Sequence, residues 1–128
     1  MIIKDKLINE YPLIKKIECP LECYEVVKRR YVIFLDEKIN RNNMESLLDE
    51  FTKVTKNNCS DKKTIIVVGR TDEKFKKKEL VFFNGVDTFV VYYLINEKNK
   101  EIYFNDQKVF WFSIDWKKII KRFNEIIK

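Results

Sequence analysis

Two short stretches of this chain have the residue types to hold a metal ion. Asp36-Glu37-Lys38 and Asp72-Glu73-Lys74 each place a carboxylate two residues before a lysine. Metal-dependent nucleases use that spacing on a strand, where the carboxylate holds Mg²⁺ and the ammonium polarises the attacking water. The first triplet follows an apolar run that reads as a strand. The spacing carries little information here, because five acid-x-Lys triplets occur in a chain with 20 acidic residues. Nothing in the sequence selects a pair of carboxylates for acid/base work.

Other chemistry lacks its parts. The chain has no histidine, which removes the commonest general base and the commonest metal ligand. Cys19, Cys23 and Cys59 are an odd number, unsuited to a disulfide framework and too few for a four-ligand zinc site. They read as reduced thiols. Both glycines fall at apparent turns, so there is no phosphate-cradling loop, and no serine sits in a nucleophile elbow. The expectation is a protein without catalytic residues, metal, cofactor or small-molecule substrate.

Charge is the stronger signal. The net charge is +6. Residues 1–50 hold nine basic and ten acidic side chains, whereas residues 51–128 hold seventeen and ten. Lys62, Lys63, Arg70, Lys74, Lys76, Lys77 and Lys78 form the most basic stretch, and Lys117 and Lys121 lie on the polar side of a C-terminal helical pattern. These nine residues are the candidate partner contacts. Such a stretch can bind phosphates without reading bases, with Phe and Tyr of a sheet stacking unpaired bases. It can equally meet an acidic protein surface.

The elements that must position these residues follow from periodicity. Ile3, Leu7 and Tyr11 have helical spacing up to Pro12, and residues 13–18 suggest a short helical turn. Cys19-Pro20-Leu21 reads as a loop, and residues 23–35 are ambiguous, with the run Tyr31–Leu35 in them reading as a buried strand. Met44, Leu47, Leu48, Phe51 and Val54 form the stripe of a helix capped by Asn42 or Asn43 and ending near Asn57-Asn58. Thr64–Val68 is a strand that Gly69 is expected to end. Four further strands, 80–83, 88–95, 101–104 and 108–112, are expected to pair consecutively, with Asn84-Gly85 forming a tight type I′ turn. Ser113 or Asp115 caps a final helix, with Trp116, Ile119, Ile120, Phe123, Ile126 and Ile127 on its apolar side. Phe89–Leu94 is apolar at every position, which calls for cover on both faces.

The expected fold is α+β: a mainly antiparallel sheet with a four-strand C-terminal meander, packed by two or three helices including the C-terminal one. The 128 residues read as a single domain. The longest apolar stretch, Phe89–Ile95, is far short of the ~20 residues of a membrane span. No leader-type apolar run follows Met1, so the expected setting is cytoplasmic, with no membrane partner.

One stretch resembles a known family. Val90-Val91-Tyr92-Tyr93-Leu94, a polar turn, Lys100-Glu101-Ile102-Tyr103-Phe104-Asn105-Asp106, a strand through Phe112 and a helix from Asp115 resemble small immunity proteins of bacterial contact-dependent growth inhibition and related polymorphic toxin systems. The resemblance covers residues 80–128. It implies a compact cytosolic α+β domain that binds and blocks one cognate toxin domain. Contact residues vary between family members, so none is carried over. Members that face nuclease toxins tend to be acidic. This basic chain would need an acidic toxin surface, or contact through its N-terminal half. Two functions follow: a non-enzymatic inhibitor whose partner is a cognate protein toxin, or a nucleic-acid-binding protein using the basic segment 62–78.

Overall fold

The computed structural model describes residues 2–12, 15–56, 62–85, 87–106 and 116–127. Its elements in chain order are α1 (Ile2–Glu10), β1 (Lys15–Ile17), β2 (Glu22–Val27), β3 (Arg30–Lys38), α2 (Leu48–Lys56), β4 (Lys63–Arg70), β5 (Val81–Asn84), β6 (Thr88–Asn96), β7 (Glu101–Tyr103) and α3 (Lys117–Ile127). A 3-10 turn, Lys77–Leu80, leads into β5. The class is α+β, with a seven-stranded sheet and three helices among the described residues. None of these helices is long and apolar enough to cross a membrane.

The strand order is β1-β2-β3-β4-β6-β5, with β7 also paired to β6. Four pairings are antiparallel, as expected, but β3–β4 and β4–β6 are parallel. Parallel neighbours need a crossover. Here α2 carries the chain from β3 to β4, and residues 71–87, which include β5, carry it from β4 to β6.

The expected meander is corrected by the same pairing. β4 occupies one edge of β6 along Thr88–Ile95. β5 and β7 therefore share the other edge, β5 beside Thr88–Val91 and β7 beside Leu94–Asn96. The proposed strand 108–112 and the helix caps Ser113 and Asp115 lie outside the described residues.

Burial explains the apolar runs. All nine residues of β6 are buried, as are seven of the eight in β4. Alternation sends Ile65, Val67, Val90, Tyr92 and Leu94 to the face covered by Leu48 and Phe51 of α2. Ile66, Val68, Phe89, Val91 and Tyr93 go to the face covered by Leu7 of α1, by Trp116, and by Ile119, Ile120 and Phe123 of α3. The sheet is thus sandwiched between helices. Fully burying one such aliphatic or aromatic side chain contributes about 1.5–3 kcal/mol.

Several local expectations change. Residues 15–17 are a strand, not a helical turn, because Lys15–Ile17 pairs with Cys23–Glu25 of β2. The helical periodicity from Met44 is real, but regular α-helix begins at Leu48; Asn40 and Asn43 instead tie the preceding turns through side-chain hydrogen bonds. Gly69 continues β4. A Cβ there would lie 3.1 Å from Ile39 Cγ1, so the glycine makes room for Ile39 against the sheet. Asn84 pairs with Thr88 as the last residue of β5, so it is not a turn residue, and among the described residues of the hairpin connection Gly85 is the left-handed one (φ 71°).

Candidate functional site

The carboxyl ends of β3, β4 and β6 lie side by side: Lys38 is in register with Arg70, and Arg70 with Ile95. In open sheets with parallel strands this end is where ligands bind. Both acid–lysine triplets come to it, and they engage each other. Lys38 Nζ is 2.8 Å from the Asp72 carboxylate, which Lys98 also approaches at 3.7 Å. Arg70 pairs with Glu97 at 3.8 Å and donates to the Asp36 carbonyl. The hydrogen bond from Lys38 is the largest influence on the Asp72 carboxyl, holding it below its ordinary range.

Arg41 organises the neighbouring loop. Its guanidinium bonds Glu79 at 3.0 Å and Glu73 at 3.3 Å, donates to the Lys74 carbonyl, and stacks 4.6 Å from the centroid of the Phe75 ring. Glu79 also accepts from the Lys76 backbone N–H at 2.8 Å. Arg41 first, and then that N–H, depress its carboxyl. The charges of this end are therefore bound to one another. Among the described residues no group of three or more His, Cys, Asp or Glu side chains is arranged to hold a metal ion.

The basic residues do not form one patch. Lys62 and Lys63 stand at the amino end of β4 and Arg70 at its other end, roughly 25 Å away at ~3.3 Å per residue. Lys63 is only 2% exposed, with its amine 3.5 Å from the Thr52 carbonyl, so its side chain is not available on the surface as expected. Lys62, Lys74, Lys76 and Lys78 are exposed.

Lys77 is brought to α3. Its amine pairs with Asp106 at 2.7 Å and lies 6.0 Å from the Phe104 ring centroid. Asn105 donates to the Lys77 carbonyl, and Trp116 Nε1 donates to the Asn105 carbonyl. These bonds fasten the strand exit beside the start of α3. A cavity of about 390 Å³ results, with Phe104 and Asp106 on one side and Lys117, Ile120, Lys121 and Asn124 on the other. Lys77 chiefly, with Lys117 adding, holds the Asp106 carboxyl below its ordinary range.

Thus the fold unites Lys77, Lys117 and Lys121 from separate parts of the sequence, and leaves Lys62 and Arg70 elsewhere. Sequence reasoning missed Phe104, Asp106 and Arg41. The first two ended a strand and began a turn, and their significance depends on α3 facing them. Arg41 was hidden as one charge before a helical pattern. Of the thiols, Cys23 is buried and pushed up to about 12 by that burial, while Cys19 donates to the Leu21 carbonyl.

Comparison with protein-family models, with curated proteins and with solved structures finds no match.

Proposed function

We propose that the chain is a non-enzymatic, cytoplasmic protein-binding inhibitor of the immunity type, which neutralises a cognate toxin domain through the cleft beside α3. The observation that carries this reading is the mixture of charge around an aromatic ring. Lys117 and Lys121 line the cleft with Asp106 and Glu125, Lys77 pairs with that Asp106, and half-buried Phe104 stands among them. Protein interfaces combine an aromatic anchor with a rim of both signs. A phosphate backbone asks for cations without carboxylates beside them. Charged groups at such a rim set partner choice and association rate. The engagement of both acid–lysine triplets in ion pairs agrees with a binding role.

The test is co-expression with any toxin domain that a neighbouring gene encodes. Protection of the cell is expected, and reversing two charges in K117E/K121E should weaken complex formation at least tenfold. Full protection by that variant would move the contact to another surface. A short oligonucleotide bound with submicromolar affinity at about 200 mM salt would overturn the reading in favour of nucleic acid.

A further inference from the structure

The connection between β5 and β6 carries a reactive dipeptide. Asn84 is the last residue of β5, in register with Thr88, and Gly85 follows it, exposed and with φ of 71°. Glycine has no Cβ, so nothing shields its backbone nitrogen from the side chain before it. A Cβ at Gly85 would lie 3.7 Å from Asp87 Oδ1, which puts a carboxylate beside this residue.

The Asn84 side chain holds two elements together. Its amide nitrogen donates to Asp49 Oδ1 at 3.1 Å and to Thr52 Oγ1 at 2.7 Å, both on α2. A carboxylate can only accept, so the nitrogen of the amide, and not its oxygen, faces α2. Thr52 Oγ1 donates its own hydrogen to the Leu48 carbonyl at 3.0 Å, which leaves it an acceptor towards Asn84. Two acceptors thus converge on one NH2 group and fasten the polar edge of α2 to the end of β5. Phe82, two residues earlier on the same face of β5, packs against the cluster that includes Leu48 and Phe51 of α2. With nine residues, α2 is too short to persist without tertiary contacts of this kind.

We propose that Asn84 is a site of spontaneous deamidation, gated by α2, and that the modification releases α2 from β5. The Gly85 nitrogen attacks the carbonyl carbon of the Asn84 side chain. Its N–H proton passes to the Asp87 carboxylate or to water, and Nδ2 takes up a proton and leaves as ammonia. The cyclic succinimide so formed adds one water at either carbonyl and opens to aspartate or to isoaspartate. Water is the only co-reactant. Attack requires the side chain to turn towards Gly85, so both bonds to α2 must break first. Afterwards a carboxylate stands where the NH2 group stood. It has no hydrogen for Asp49 or Thr52, and it meets the Asp49 carboxylate as a like charge. The modified chain therefore loses the attachment for good. The proposal concerns the opposite face of the sheet from the cleft beside α3 and does not rest on the toxin-binding reading.

The test is storage of the full chain in warm neutral buffer, followed by mass mapping of the tryptic peptide 79–98. Aspartate and isoaspartate should accumulate at position 84. Asn96, in the same peptide but followed by Glu97, should stay intact. T52V removes one acceptor and should speed conversion roughly fivefold, the effect of one net hydrogen bond. N84D should raise amide hydrogen exchange across residues 48–56 and leave α3 unchanged. Stored wild-type protein should do the same in proportion to its conversion, and it decides the point if N84D does not fold. An Asn84 that survives storage in the folded chain overturns the proposal. A T52V variant that converts no faster than the wild type overturns the gate. Conversion without raised exchange in α2 overturns the release.

Discussion

At the carboxyl ends of β3, β4 and β6 the charged side chains are bound to one another. At the amino end, beside α3, Arg30 stands next to further cations with a buried nitrogen unpartnered. Asp72 holds two lysines and Arg41 holds two glutamates, so the first end is close to neutral and cross-linked. The difference teaches that a charge in a sequence is not yet a charge available to a partner. Availability depends on which carboxylates the fold brings within reach.

The largest expected effect asks whether both ends share one structure. Phe89→Ala near one end and Leu94→Ala near the other each empty a fully buried site. They should cost about 3–5 and 2–5 kcal/mol respectively. Urea unfolding should keep a single transition with an unchanged slope. A second transition in either variant would show the ends unfolding separately, and would break the comparison.

Acid should separate the ends next. The carboxyls of Asp72 and Glu79 titrate below their ordinary values of 3.8 and 4.5 when folded. The unfolded chain therefore binds protons first, and stability falls as pH drops from about 4.5 through the lower folded values. Arg41→Gln should flatten that loss, because Arg41 is the main cause of the Glu79 shift. Neutralising Lys117 and Lys121 should leave that contribution in place. Equal acid profiles in all three proteins would remove the special role given to the carboxyl end.

A smaller effect exchanges stability for binding. Arg41→Gln should raise amide hydrogen exchange in residues 71–80 while leaving toxin binding intact. K117E/K121E should change stability by no more than about 0.5 kcal/mol while weakening the complex. The reverse pattern would interchange the roles of the two regions. The smallest effect lies at the sheet's other margin. Under native conditions a thiol reagent should label Cys19 before Cys23, whose buried thiol is pushed up to about 12. Equal labelling, read by mass spectrometry, would show that β2 opens readily.

Much of the fold was legible in the sequence. The all-apolar run Phe89–Leu94 required cover on both faces, and two clusters provide it. The stripe Trp116, Ile119, Ile120 and Phe123 announced a helix, and these residues are buried. β1 and β2 were missed because Lys15–Ile17 and Glu22–Val27 alternate weakly and depend on pairing with β3. The candidate site was legible only in part. Lys77, Lys117 and Lys121 were named among nine residues, but nothing local set them apart from Lys63, which the fold buries.

What the sequence determined by itself is local: where apolar residues recur every two or every three to four positions, and hence which segments are strands and which are helices. Those preferences arise between near neighbours in the chain. Only the tertiary structure decided that β4 lies parallel between β3 and β6, that Lys38 of one acid–lysine triplet pairs with Asp72 of the other, and that Arg30 is left with an unpartnered nitrogen. The reason is physical. Strand pairing and ion pairing act between groups separated by tens of residues, and their strength depends on distance and burial, which composition and spacing do not contain.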